Sequence, residues 1–273
     1  MINHILVGVL YSGENEYDEC LSSINAQTYK NFDLLRIEHL PKLEAHRRLY
    51  HAFLDQKERY DLLIKIDADM VLTRLQLFDQ IVQKFDQNPQ VDVLAIAIWD
   101  FFSGGFINGL NSYRNTVKWE LDPENVNADV VLVDNSKYLF DQTDLAPAAF
   151  HCKNSSKLQA FHFGVHRGIK VFAPKHSTAH WELLEKTWRN FLKTQDVRIG
   201  LAVLGAELVY ACILSKDDVD YTNPKVADIL NKYEYFSSAQ VKREVLKLRI
   251  MHWGILPGDL RRRMLRKKIK LIQ

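Results

Sequence analysis

Cysteine is scarce in this chain. Cys20, Cys152 and Cys212 are its three, widely spaced and without a C-x-x-C pair, which argues against a disulfide framework and against a thiolate zinc site. That usage fits a reducing, cytoplasmic compartment. The residues after Met1 lack the basic, apolar and small-residue order of a secretory leader, so export is not expected. Long hydrophobic runs are missing too. Val91 to Trp99 and Leu201 to Leu214 are the longest, both short of a membrane span, and the second contains Glu207. Internal repeats and low-complexity tracts are absent. Acid is missing from Leu260 onward, where Arg261, Arg262, Arg263, Arg266, Lys267, Lys268 and Lys270 are interleaved with Met264, Leu265, Ile269 and Ile272. The net charge of +2 therefore hides an acidic body and a basic tail. Such a tail could make peripheral contact with an anionic membrane surface or stand as a solvated helix.

The 273 residues, 47% hydrophobic, are enough to bury a full core. Ile5 to Leu10 is an apolar run of strand length, and Tyr17 to Ala26 has helical spacing. Strands at Phe32 to Ile37 and Asp61 to Ile66 bracket a helix at Leu43 to Leu54. A helix from Leu75 to Phe85 and a strand from Val91 to Trp99 complete the first hundred residues. Alternation of this kind predicts an α/β fold with a central, mostly parallel sheet flanked by helices. The glycines of Phe101 to Asn111 open a less regular stretch of mixed strand direction, with short segments such as Val130 to Val133. Helices follow at Ser155 to Lys170, Trp181 to Leu192, Gly200 to Leu214, Pro224 to Lys232 and Ala239 to Met251. The reading divides the chain at 215, a catalytic domain with halves 1–100 and 101–215, then a helical C-terminal extension over 216–273.

Asp67-Ala68-Asp69 closes the third strand, and in a parallel α/β sheet ligands bind outside the carboxyl ends of strands. Two carboxylates one residue apart repel each other unless a cation sits beside them. Hard divalent cations such as Mn²⁺ or Mg²⁺ take oxygen ligands shared with a diphosphate. Alone, D-x-D is a weak signal; the strand before it and two βα units ahead of it strengthen it. His162 and His166, four apart on one helix, have chelating spacing, but their flank reads more simply as packing.

At this point the sequence resembles the GT-A fold glycosyltransferases, most closely family 2, over roughly its first hundred residues. Ile5 to Tyr11 is similar to that family's opening strand. Leu21-Ser22-Ser23-Ile24-Asn25-Ala26-Gln27-Thr28-Tyr29 resembles its "L-x-S-I-x-x-Q-x-Y" helix end, and Asp61 to Asp69 its metal-binding strand. The resemblance implies a nucleoside diphosphate sugar donor and a saccharide or lipid-linked acceptor. It places Tyr11 and Glu38 at the nucleoside, and Asp69, with Asp67, at a divalent metal. Lys65 and Arg47 are further candidates for donor contact. Glu38-His39 replaces the family's usual acidic pair. A late histidine often completes such a metal site: His180 is preferred here over His176. The family's acid near the acceptor helix is missing, since His151-Cys152-Lys153-Asn154 stands there. Asp134, Asp141, Asp144 and His151 are the remaining candidates for the base, with Asp144 and His151 foremost.

Other readings compete. A haloacid dehalogenase-like phosphatase would carry its D-x-D on the first strand and continue into Gly-Thr, whereas Asp69 is followed by Met70-Val71. A catalytically silent nucleotide-sugar-binding protein fits the lack of an evident base. A nucleic-acid reader does not fit, because the basic residues gather at one terminus without an RNA-binding aromatic signature.

Overall fold

A computed structural model of the chain describes residues 2, 4–117, 136–173, 177–215, 218, 223–251, 260–264 and 267. The segment at Val130 to Val133, Asp134 and His176 therefore lie outside the described residues. The chain packs as two compact units, Met1–Phe101 with Gly105–Asn154, and Phe102–Gly104 with Ser155–Gln273. The helices that the sequence reading assigned to a domain ending at 215 thus group with those beyond it.

The first unit holds β1 (Ile5–Tyr11), α1 (Tyr17–Asn25), β2 (Phe32–Glu38), α2 (Lys42–Leu54), β3 (Leu62–Asp67), β4 (Met70–Leu72), α3 (Leu77–Gln87), β5 (Val93–Asp100), β6 (Gly105–Arg114), β7 (Tyr138–Asp141) and β8 (Ala149–His151). One sheet runs β2-β1-β3-β6-β5-β8-β4, with β7 paired to the start of β5. The β2-β1-β3 half is parallel, as is β5 with β7 and β8. Pairings β3 with β6, β5 with β6 and β4 with β8 are antiparallel. The α/β architecture is as expected, and the mixed strand direction falls in the half where regular alternation stops.

The apolar run of β1 is continuous because both of its faces are covered. Ile5, Val7 and Val9 pack with Cys20 and Ile24 of α1 and with Leu77, Phe78 and Ile81 of α3. Leu6 and Leu10 pack with Leu49, Tyr50 and Phe53 of α2. Each such side chain, fully buried, contributes about 1.5–3 kcal/mol. Gly8 lets α2 approach: a Cβ there would stand 2.2 Å from Leu49 Cδ1.

The residues that carry the family resemblance at the end of α1 are structural pins. Gln27, 1% exposed, donates to Arg74 O at 2.8 Å and accepts from Phe78 N at 3.1 Å, meeting an otherwise open amide at the start of α3. Ser23 Oγ accepts from Leu72 N at 3.1 Å and so ties α1 to β4. Asp69 caps no helix; with Ala68 it makes the turn from β3 into β4, and α3 begins only at Leu77.

The second unit contains α4 (Lys157–Lys170), α5 (Ser177–Thr194), α6 (Val197–Tyr210), α7 (Pro224–Asn231) and α8 (Ser238–Met251). Ser156 and Gln159 form a capping box at the start of α4. Helix α6 is buried nearly all round, which is why its sequence reads as a long apolar run. It meets α4 backbone to backbone: a Cβ on Gly164 would lie 1.7 Å from Ala202 O, and one on Gly205 2.3 Å from Phe161 O.

Glu207 of α6, 1% exposed, is reached by two guanidinium groups, Arg249 of α8 at 2.7 Å and Arg261. Arg261 also lies over the rings of Trp181 and Tyr210. Arg261, counted above in the basic tail, is thus 2% exposed and holds residues 260–264 to α6, while Arg263 and Lys267 are exposed. Removing one partner of a buried ion pair costs about 3–5 kcal/mol, and Glu185, 3.0 Å from Arg249 and 3.7 Å from Arg261, is left to compensate only part of that charge. Glu207→Ala is therefore expected to lower the urea midpoint of the helical unit's unfolding by an amount corresponding to that loss; a change under about 1 kcal/mol would contradict it.

Candidate active site

Parallel pairing sets the carboxyl ends of β1, β2 and β3 side by side, with Tyr11 opposite Glu38 and Leu10 opposite Asp67. The Tyr11 ring stacks on Tyr17 at 4.0 Å between centroids, and Tyr17 Oη donates to Glu38. His39 holds a left-handed backbone (φ 56), donates its amide to Tyr11 O at 2.8 Å and presents its ring edgewise to Tyr11. Tyr11 and Glu38, both named from the sequence, thus border one corner of the strand ends.

Lys65 and Asp67 leave β3 on the same side, two residues apart. Lys65 is 2% exposed and its Nζ lies 2.8 Å from Asp67 Oδ1. An ammonium of the chain itself therefore compensates Asp67, and the pair of aspartates does not need a bound cation for Asp67's sake.

Asp69 is handled differently. Residues 149–151 of β8 lie between β4 and β5, His151 opposite Met70 on one side and Asp100 on the other. The loop ahead of β8 is held by Arg74, which donates to Leu145 O at 2.7 Å and Pro147 O at 2.9 Å. This placement sets the buried His151 between two carboxylates, Nε2 3.3 Å from Asp69 Oδ2 and Nδ1 2.8 Å from Asp100 Oδ1. Cys152, with a left-handed backbone (φ 57) and its amide donating to Asp69 O at 2.9 Å, brings Sγ 3.2 Å from Asp69 Oδ2 and 3.5 Å from His151 Nε2. Burial disfavours the charged form of His151, but Cys152, Asp69 and Asp100 together raise it well above its ordinary pKa. Burial opposes ionisation of Asp69 as well, yet His151 and the Cys152 hydrogen bond hold it below the usual carboxylate range. Burial and the Asp69 charge push the Cys152 thiol well up.

A divalent cation fits these residues. Among the described residues, Asp69, His151 and Cys152 are the group of three whose ligand atoms converge, all within 4.8 Å of one another. Asp69 Oδ1 is buried and has no hydrogen-bond partner among the described residues, a cost that a cation would relieve. Behind the ring, Asp100 supplies the carboxylate that commonly orients a metal-binding histidine.

The other residues named from the sequence are not among these three. His180 lies in the first turn of α5, in the second unit, with Nδ1 3.4 Å from Arg167 Nη1. Asp144 is paired to Lys84 of α3 at 2.7 Å, which lowers its pKa and makes it a weak base. Asp141 accepts from Leu145 N at 2.9 Å and shapes the loop after β7. Arg47 is half-buried on α2. Sequence reasoning missed Asp100, Glu14 and, above all, Cys152. Neighbours on a strand face opposite ways, so a His-Cys pair reads as divided between two faces unless the second residue leaves the strand conformation.

Glu14, in the loop after β1, accepts from Ser12 N at 2.6 Å. Burial, with the charges of Asp69 and Asp67, raises its pKa from 4.5 to about 7. The folded state thus keeps a proton that the unfolded chain loses above about pH 4.5. This contribution to stability falls as pH rises through 4.5 to 7 and stays low above it. With chelator present, Glu14→Gln should gain stability over the parent between pH 5 and 8, on the order of 1 kcal/mol after solvent screening, measured as the pH dependence of the difference in Tm. A flat difference would show that Glu14 is not strained by its neighbours.

No protein-family model matches the chain, and no curated protein does. Among solved structures, S. aureus TarS is similar with a TM-score of 0.36 and 11% identity, over 70% of this chain and 44% of that one. A mannosyltransferase from Pyrobaculum calidifontis, in complex with GDP-Man and Mn²⁺, gives 0.33 and 11% over 89% of this chain and 84% of that one. A197 from STIV gives 0.32 and 15% over 41% and 64%. The chain thus spans less than two thirds of the TarS and A197 structures, and likenesses of this size decide nothing about what it does.

Proposed function

We propose that the chain is a divalent-cation-dependent glycosyltransferase, moving a hexosyl group with inversion from a nucleoside diphosphate sugar to a saccharide or lipid-linked acceptor in glycan synthesis. The observation that carries this reading is the edge formed by the carboxyl ends of β1, β2 and β3, where Tyr11, Glu38 and Asp67 meet and Asp69 keeps a buried oxygen without a partner. The Tyr11–Tyr17 stack and Glu38 offer the nucleoside a flat apolar surface beside a carboxylate. Arg47 is a candidate for the phosphates. Lys65 orients Asp67. Asp69 and His151 would hold the cation, with Asp67 beside them, and a bound divalent ion stabilises the negative charge of a departing diphosphate. Asp100 fixes the His151 ring. Peripheral membrane contact through Arg263, Lys267 and the rest of the tail would bring lipid-linked acceptors close.

A nucleotide-sugar-binding protein without transfer is the second reading. It is favoured by the engagement of both sequence-named bases, Asp144 with Lys84 and His151 with two carboxylates.

Thermal shift against nucleoside diphosphates and their sugars, with Mn²⁺, Mg²⁺ or chelator, tests the proposal. At about 100 times Kd, a ligand of the native state adds about 2.7 kcal/mol, several degrees in Tm. The expected result is cation-dependent stabilisation by one nucleotide class and its loss in Asp69→Ala. No response to any nucleotide would sink both readings, and binding without product formation would select the second.

A further inference from the structure

We propose that Cys152 is a thiolate ligand of the cation at Asp69, making this a mixed oxygen, nitrogen and sulfur site for an ion of the zinc or cobalt kind rather than for magnesium. The inference rests on the cation site of the reading above and names its metal class.

The geometry of the three donors carries it. For bonds of about 2.0–2.1 Å to nitrogen and oxygen and about 2.3 Å to sulfur, a tetrahedral ion separates neighbouring donors by about 3.3–3.6 Å. Two separations fall in that range, 3.3 Å between Asp69 Oδ2 and His151 Nε2 and 3.5 Å between Cys152 Sγ and His151 Nε2, and the third, between Asp69 Oδ2 and Cys152 Sγ, is shorter at 3.2 Å. Three donors thus occupy one face of such a tetrahedron, and the fourth position is left for a ligand oxygen, the pattern of an open rather than a closed zinc site. Asp69 Oδ1, the carboxylate's other oxygen, is buried without a hydrogen-bond partner among the described residues.

Local construction agrees. A cysteine in the left-handed region costs on the order of 1–2 kcal/mol, and here that conformation turns Sγ back onto the strand face that carries His151. Cys152 is 2% exposed, and its thiol lies within reach of an imidazole and a carboxylate. The two other cysteines are not in the cluster. Soft thiolate and imidazole donors favour zinc-like ions, whereas magnesium demands oxygen. On binding, the Cys152 Sγ proton leaves to solvent as the metal–sulfur bond forms.

The test uses the full chain stripped with chelator and titrated with Co²⁺, followed by absorption, with Mn²⁺ binding measured separately by electron paramagnetic resonance. The expected result is one Co²⁺ per chain with a thiolate-to-cobalt charge-transfer band and the visible bands of a tetrahedral ion. Zn²⁺ should displace the Co²⁺, and a large excess of Mg²⁺ should not. Cys152→Ser should lose the charge-transfer band and weaken Zn²⁺ binding at least tenfold, and Asp100→Asn should keep the band while weakening Zn²⁺ about 10–100-fold. Circular dichroism of each variant in chelator confirms folding, and the parent's own band decides the matter should a variant not fold. Co²⁺ or Mn²⁺ binding without a charge-transfer band, or a band that survives Cys152→Ser, overturns the thiolate inference and leaves the cation reading standing. No binding of any of these ions overturns both.

Discussion

Everything at the candidate site depends on one buried run of charge, Asp100 to His151 to Asp69, that crosses three strands. Asp100 is fully buried, His151 nearly so and Asp69 partly exposed, and each charge is stabilised by the opposite charge beside it. A three-residue strand such as β8 has little backbone pairing to hold it. His151, bonded from one side to β5 and facing the turn into β4 on the other, supplies what hydrogen bonding along so short a strand cannot. The same bonds aim Nε2 and Asp69 Oδ2 at one point, so the element that stabilises the edge of the sheet is also the one that assembles the donors.

The neighbouring pair works on the opposite principle. Asp67 has a permanent ammonium partner in Lys65, which never leaves the chain, whereas Asp69 is balanced by an imidazole whose proton can be exchanged for a metal ion. Two aspartates that look equivalent in D-x-D are therefore unequal: Asp67 is fixed and oriented, and Asp69 is the one available to an ion. The electrostatic argument made from sequence, that paired carboxylates call for an external cation, could not see that Lys65 turns to the same side as Asp67 and compensates it from within the chain.

Legibility followed the length of the periodic signal. Strands β1, β2, β3 and β5 and helices α1 to α8 were readable from apolar spacing. The position of Asp67 at a strand end followed from βα alternation, whereas Tyr11 and Glu38 were named through the family resemblance. Strands β4 and β8, three residues each, are too short for any period, and β6 was hidden because Gly105 and Gly109 read as loop punctuation. Gly109 is there for space: a Cβ would stand 2.0 Å from Ile98 Cδ1. The family-like motif that contains Gln27 was visible as a pattern, but the work of Gln27 is to close the start of α3, so it marks architecture rather than chemistry.

The same distinction explains why the site's third donor was excluded in advance. Cysteine spacing is informative when ligands come from one hairpin or one zinc knuckle, where a few residues of separation bring two thiols together. Here the donors come from Asp69 and from residues 151 and 152, more than eighty positions later, and they meet only because β8 inserts between β4 and β5. A lone cysteine joined to a histidine and an aspartate by sheet topology has no spacing signature. Its signal is conformational, a non-glycine residue in the left-handed region beside a buried imidazole, and that becomes readable only once the strand register is known.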